Sequence, residues 1–408
     1  MKKSSSNLLL AGILAGIALG ALCVILFPGQ MAFLGWMGDF FLTALRMVIV
    51  PLVAASIVVG VTSLGDISKL RGVGLRTFAF YMATTTLAVC LGLLLVTTFQ
   101  PGEGTPLPEG LAIPERVANR APVGFQDLVL SVIHPNIIGA LAEPAMLPVI
   151  VFFLIFGAVL TTLGEKGKPV IAVFDGVNEA MMKMVGVVLW LAPIGVFGLV
   201  CKGFGALQPA DLMETLKSLA AYTTVVLSGL AIHTFVILPA ICALMARRNP
   251  FAYMGAMLPA LVTAWSTGSS AATLPVTIES AEDRGGLSPK ATAFVLPLGA
   301  TVNMDGTALY LGVAVVFIAQ VYGVPLSLAE VTTIFLTTTL VSIGVAAVPQ
   351  AGLAMMVIIL NTVGLPLEGI GLVMPIDAIL DRFRTVTNVW GDSVGAAYID
   401  RTLPAEGN

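Results

Sequence analysis

Charge is scarce in this sequence. Aspartate, glutamate, lysine and arginine make up 11% of its 408 residues, against about 25% in an ordinary soluble domain. A chain so poor in charge cannot cover itself with a polar surface, which excludes a soluble globular protein. Histidine is scarcer: His134 and His233 stand isolated along the chain, with no Ser/His/Asp set and no metal-ligand spacing beside either. That speaks against a membrane enzyme. Four cysteines, Cys23, Cys90, Cys201 and Cys242, lie far apart and mostly inside apolar runs, which gives neither a disulfide framework nor a metal knuckle. A formal net charge of −3 leaves no footprint for nucleic acid.

What is present is apolar. Hydrophobic residues reach 57% and the mean hydropathy is +0.99. The runs repeatedly attain the roughly 20 residues that cross a bilayer as a helix, so the class is a polytopic helical membrane protein. Spans are expected at about 8–27, 40–61 and 77–99, followed by a loop rich in Pro, Gly and Glu at 101–122. The first run suits a full span better than the core of a cleaved signal. The stretch 128–163 is apolar but interrupted by His134-Pro135-Asn136, Pro144 and Pro148, which predicts a kinked or segmented helix. Further spans are expected at about 170–199 and 219–245.

The distribution of positive charge tests that layout. With both termini cytoplasmic, the inner segments hold Lys2, Lys3, Lys69, Arg71, Arg76, Lys166, Lys168, Arg247, Arg248, Arg284, Lys290 and Arg401, and the outer ones Arg116, Arg120, Lys202 and Lys217. Twelve against four is a positive-inside bias. It requires that 128–163 cross an odd number of times and that two later segments, 254–281 and 327–365, do not cross. Those two are apolar helices interrupted midway, by AWSTGSSAATLP at 264–275 and by GVAAVPQAG at 344–352. Each is followed by a longer helix, which suggests a duplicated unit of hairpin plus span. Paired interruptions point to a transporter's binding site, because unwound backbone is tolerated at membrane depth only where it is buried or lines a cavity. Spanning helices that are merely kinked are the plainer alternative.

The charged residues that remain are concentrated. In DAILDRFRTVTNVWGD, 377–392, positions three and four apart share a helical face, so Asp377, Asp381, Arg384, Thr385, Asn388 and Asp392 form one polar stripe. A stripe like this faces a site rather than lipid, because each centred charge costs roughly 2.5–3.5 kcal/mol in a bilayer. The alternative is an amphipathic helix on the membrane surface, but that would carry Lys and Arg on its polar face. A second constellation, LPLGATVNMDGT at 296–307, places Asn303, Asp305 and Gly306 inside an apolar run. It suggests a helix that unwinds and turns carbonyls inward. Carboxylate, amide and free carbonyls are an all-oxygen set suited to an alkali cation. Asp305, Asp377, Asp381 and Asp392 against Arg382 and Arg384 leave two negatives in excess. Buried charge without compensation is costly, so bound cations are expected. An aspartate gripping a substrate ammonium and Arg384 forking onto a carboxylate would suit an acidic amino acid carried with sodium.

Together NMDGT (303–307), SSAATLP (269–275), VPQAG (348–352) and DRFRTVTN (381–388) resemble the glutamate transporter family of dicarboxylate/amino acid:cation symporters, over nearly the whole chain. The resemblance implies an all-α polytopic membrane protein, with eight transmembrane helices and two re-entrant helical hairpins arranged as inverted repeats. It implies a homotrimer in the cell (inner) membrane working by an elevator mechanism. Residues 1–76 and 125–215 would be scaffold. Residues 77–124 would supply a transport-domain span and outer loop, and 216–408 the transport core, with hairpins at 250–285 and 327–366 and spans at 290–320 and 367–400. By the same resemblance, Asp381 would hold the substrate's amino group and Arg384 its side-chain carboxylate. Asn388 and Thr307 would contact the main-chain carboxylate, with Thr385, Gly352 and backbone around Ser270 and Val348 completing the site. Sodium, bound and co-transported, would sit near Asp392 and Asn388 with carbonyls of the Asn303 region. A second ion would lie near Tyr81, Thr84, Thr85, Asn303 and Asp305. A third would use Thr301, Met304 and the carbonyls of Ser342, Ile343 and Val345.

Three positions depart from the family pattern. Leu311 stands where animal members carry a glutamate linked to proton movement. Gly268 stands where archaeal members carry an arginine, while Arg382 sits on the last helix as in animal members, which leaves potassium counter-transport open. Ala271 replaces a hairpin-tip serine. Arg384 argues against carriers of neutral amino acids and Asp381 against carriers of C4-dicarboxylates, the two alternatives within the family. An ion channel is the alternative of a different class.

Overall fold

The computed structural model describes residues 3–27, 30–62, 73–106, 130, 133–142, 146–205, 209–343 and 351–403. Among these the chain is helical, with no strand. The first long helices are α1 (Lys3–Leu26), α2 (Trp36–Thr62) and α3 (Val73–Phe99). They are followed by α4 (Met146–Thr162), α5 (Lys168–Leu189), α6 (Ala192–Phe204) and α7 (Pro209–Ile232). Three stretches among the described residues are long and apolar enough to cross a bilayer: Val73–Phe99, Asp211–Ala246 and Pro289–Val321. The expected span at 170–199 is broken. Gly164–Leu189 and Ala192–Lys202 meet at a 57° bend, where Pro193 removes a donor from the ladder and opens a new first turn.

The polar residues between the apolar runs set the later boundaries. Asn249 caps α8 (Pro250–Thr267), accepting from the N–H groups of Phe251 and Ala252 with Pro250 at the first position. Gly268, at φ +61°, ends that helix, and Ser269 immediately caps α9 (Ser270–Glu279) by accepting from Ala272 N. Only a residue without Cβ takes such a φ at no cost, so the reversal falls there. Ser288 and Pro289 start α10 (Pro289–Val302). Asn303 and Met304 leave helical geometry before α11 (Asp305–Val321) begins. A capping box between Ser327 and Glu330 starts α12 (Leu328–Ser342). Then come α13 (Ala351–Thr362) and the 33-residue α14 (Ile370–Thr402).

Helix α14 packs on α8, α10 and α11, while α3 lies along α11. The most apolar window of Pro289–Val321 is wholly buried inside the protein. Helix α2 packs on α4, α5 and α6, and α1 lies along α6. That last contact depends on Gly12, Gly16 and Gly20, which present small faces to Pro193, Phe197 and Val200, as closely approaching membrane helices do. A Cβ on Gly16 would collide with the carbonyl oxygen of Pro193. Gly16→Leu is therefore expected to destabilise the protein by about 1–3 kcal/mol or more. An unchanged melting temperature in detergent would show that this contact carries no stability.

Candidate functional site

The polar stripe lies along α14, and its members are buried. Arg384 and Asp377 are both 0% exposed. Arg384 Nη1 stands 2.9 Å from Asp377 Oδ1, and Nη2 donates to Asp381 Oδ1 at 2.6 Å. The first of these is an ion pair by distance whose N–H is not aligned as a hydrogen bond. The guanidinium carbon sits 3.9 Å from the centre of the Tyr310 ring, a cation–π contact from α11. Thr385 Oγ1 donates to Asp381 O at 2.8 Å, so its hydroxyl is engaged on its own helix. Arg382 turns away from Arg384, and its Nη1 donates to Ser266 O at 3.1 Å, beside the reversal at Gly268. Ser270 is buried in the first turn of α9. Gly352 lies where a Cβ would come within 3.1 Å of Arg384 Nη1. Val345 and Val348 lie outside the described residues.

The other end of the stripe meets the break between α10 and α11. Asp305 Oδ1 accepts from Thr85 Oγ1 at 2.7 Å and from Thr84 Oγ1 at 3.2 Å, both on α3. Thr84 Oγ1 is also 3.2 Å from Asn303 Oδ1, and Asn303 Nδ2 donates to Asp392 Oδ1 at 3.0 Å. Asn388 Oδ1 accepts from Gly306 N at 2.8 Å, while its Nδ2 reaches Thr307 Oγ1 and Met304 Sδ, each at 3.2 Å. Tyr81 Oη donates to Val295 O at 2.9 Å. Tyr81, Thr84, Thr85, Asn303, Asp305 and Asp392 are thus brought together. Thr301 and Ser342 are not joined to them: Thr301 Oγ1 bonds Leu298 O, and Ser342 Oγ bonds Thr339 O, each on its own helix. Ile343 is buried, with its N–H on Leu340 O.

These contacts distribute the excess charge. Arg384 is held between Asp377 and Asp381. Among the described residues no lysine or arginine lies within 4.0 Å of Asp305 or Asp392. Negative charge without a lysine or arginine partner is therefore gathered around Asn303, among carboxylate, hydroxyl and amide oxygens that suit a hard monovalent cation. Gly299 keeps that space open: a methyl group there would stand 2.5 Å from Tyr81 Oη and 2.6 Å from Asp392 Oδ1. Gly299→Ala is expected to weaken cation binding there by about tenfold or more, the effect of displacing one charged ligand. A sodium titration with unchanged midpoint would refute this.

His233, isolated by sequence, is not isolated in the fold. Its Nε2 lies 3.0 Å from Asp305 Oδ2, and both side chains are fully buried. It opens a π-helical turn, His233–Ile237, that follows α7. Pro239 cannot donate to Phe235 O, and local widening of the turn relieves the ladder. A lone polar side chain in an apolar span is itself a signal of function. Tyr310 was also legible in principle, since it lies three residues beyond Thr307 on the same face of α11.

A bundle of apolar helices that encloses a charge-rich, oxygen-lined site at a broken helix is built as a secondary transporter. Known proteins agree with that class. The chain matches the sodium:dicarboxylate symporter family over residues 9–402, and it belongs to that family, whose members are transporters and not enzymes. It is 36% identical to excitatory amino acid transporter 4 of Mus musculus, over 92% of this chain and 79% of that protein. It is 36% identical to excitatory amino acid transporter 3 of Homo sapiens, over 90% and 79%. An excitatory amino acid transporter of Caenorhabditis elegans is 35% identical, over 96% and 87%.

Proposed function

We propose that this protein is a sodium-coupled symporter of acidic amino acids, L-glutamate or L-aspartate. The observation that carries this reading is the division of buried charge between α14 and the start of α11. Arg384 is poised between two buried carboxylates, whereas among the described residues Asp305 and Asp392 have no lysine or arginine partner, Asp305 meeting the His233 imidazole. An acidic substrate fits both halves. Its side-chain carboxylate takes the Arg384 fork, its ammonium takes the Asp381 carboxylate that Arg384 gives up, and its main-chain carboxylate meets Asn388 and Thr307. Sodium ions then compensate Asp305 and Asp392, so neither charge enters the interior without the other. The naming of the relatives as excitatory amino acid transporters favours an amino acid over a C4-dicarboxylate, which has no ammonium for Asp381.

The same reading includes eight spans with re-entrant hairpins at 250–285 and 327–366, and a scaffold at 1–76 and 125–215. It also includes a homotrimer in the cell membrane, cytoplasmic termini and elevator movement of the remainder. The test is uptake of radiolabelled aspartate, glutamate and succinate into liposomes containing the purified protein, with and without an inward sodium gradient. Sodium-driven accumulation of the amino acids supports the proposal. Accumulation of succinate alone would assign the dicarboxylate reading, and uptake indifferent to sodium would reject coupling.

A further inference from the structure

Two tyrosines lie behind the Arg384 ion pairs. Tyr222, on α7, and Tyr310, on α11, are fully buried, and neither hydroxyl makes a well-aligned hydrogen bond among the described residues. They neighbour one another, and Tyr310 in turn neighbours Asp377. Both rings are held in place, Tyr310 beneath the Arg384 guanidinium and Tyr222 by stacking on Phe317 at 4.6 Å between centroids. Asp377 is short of donors too: neither of its oxygens receives an aligned hydrogen bond among the described residues, despite the nearby Nη1. Unbonded polar atoms are rare in protein interiors. Here a carboxylate and two phenols neighbour one another without a well-aligned bond between them.

We infer that Tyr222 and Tyr310 form a hydroxyl relay that takes over Asp377 when an acidic substrate draws Arg384 away from it. The inference rests on the role proposed above for Arg384. A substrate carboxylate bound bidentately occupies the guanidinium fork and leaves Asp377 buried without its counter-charge, a costly state. A phenol gives one hydrogen and accepts another. Tyr310 therefore donates to Asp377, and Tyr222 donates to Tyr310 Oη. Closing both bonds takes a small adjustment of the Tyr310 and Asp377 side chains, which the departure of Arg384 permits, together with rotation of the two hydroxyl hydrogens. Tyr222 touches no substrate in this arrangement. It is a positioning residue, and it stabilises the site only when the substrate carries a side-chain carboxylate.

The test is a double-mutant cycle on the full-length protein in saturating sodium, with aspartate as the probe. Tyr222→Phe, which keeps the ring and its stacking, is expected to raise the Kd for aspartate roughly threefold to tenfold, the worth of one buried hydrogen bond. The sodium dependence of the substrate-free protein should not move. In an Asp377→Asn background the same change should add no further loss, because the charge that the relay serves has gone. A Tyr310→Phe background should absorb the effect in the same way, which keeps the test available if Asp377→Asn fails to fold. Wild-type affinity in Tyr222→Phe, or a loss that simply adds to those of Asp377→Asn and Tyr310→Phe, would overturn the relay. Aspartate binding that survives Arg384→Ala would instead overturn the proposed function, a separately readable failure.

Discussion

Arg384→Ala is expected to abolish sodium-driven uptake of aspartate and glutamate. Arg384 is fully buried and pairs with both Asp377 and Asp381, so its loss removes the carboxylate fork and strands two negative charges. Deleting one partner of a buried charge pair formed with a ligand costs about 2–5 kcal/mol of binding, which is a factor of about thirty to several thousand in affinity. An anionic side chain would also meet Asp377 without a counter-charge, which adds repulsion to lost attraction. A neutral amino acid such as serine keeps its ammonium partner at Asp381 and should be tolerated better than aspartate in this variant, reversing the preference. The combined variant Arg384→Ala/Asp377→Asn separates folding from selectivity: removing the stranded charge should restore yield and melting temperature but not acidic uptake. Radiolabelled uptake of aspartate and serine by both variants is the check. Aspartate transport at the wild-type rate in either would remove Arg384 from the site.

The second large effect is expected at the opposite end of the stripe. Asp305→Asn removes one of the two carboxylates that lack a lysine or arginine partner among the described residues, while keeping the size of the side chain and one oxygen for Thr85. A unit charge about 4 Å from a cation is worth about 4 kcal/mol at an effective dielectric constant near 20. The sodium concentration needed for half-maximal aspartate binding should therefore rise about a hundredfold or more. The dependence on sodium should also become less steep as one ion site is lost. Asp392→Asn should act in the same direction, and Asp305→Asn should leave the Arg384 ion pairs intact. Sodium titrations of aspartate binding by isothermal calorimetry would measure both. A variant whose sodium dependence matches the wild type would show that the excess charge around Asn303 is not where cations bind.

Much of this architecture was legible because a membrane interior makes polar residues informative. The stripe from Asp377 to Asp392 follows from helical spacing alone and lies on one helix, Ile370–Thr402. The break at Asn303 and Met304 could be anticipated from a buried Asp-Gly pair in an apolar run, and α10 ends at Val302. Apolar periodicity does not reveal bends inside a continuous hydrophobic run, so 170–199 read as one span although Trp190 and Leu191 separate two helices. Nor does it reveal partners from distant helices. His233 lies 72 positions from Asp305, and Arg384 reaches the ring of Tyr310 from a different helix; no local pattern encodes either contact. Charge counting predicted an excess of two negatives without saying where they would sit. The side chain of Arg384 settles that by pairing with Asp377 and Asp381.

The two unwound residues between α10 and α11 have a thermodynamic consequence. Helix α10 ends there with carbonyls pointing out of its C-terminus, and α11 begins there with amides pointing out of its N-terminus, one of which, Gly306 N–H, already donates to Asn388. The partial charges at those two ends are opposite in sign, so a single interruption attracts a cation on one side and a carboxylate on the other. On the proposed reading, sodium and substrate share one short piece of backbone, and each fixes the conformation the other needs. Linkage then makes their influence reciprocal. The factor by which sodium tightens aspartate binding must equal the factor by which aspartate tightens sodium binding, so measuring either one determines both.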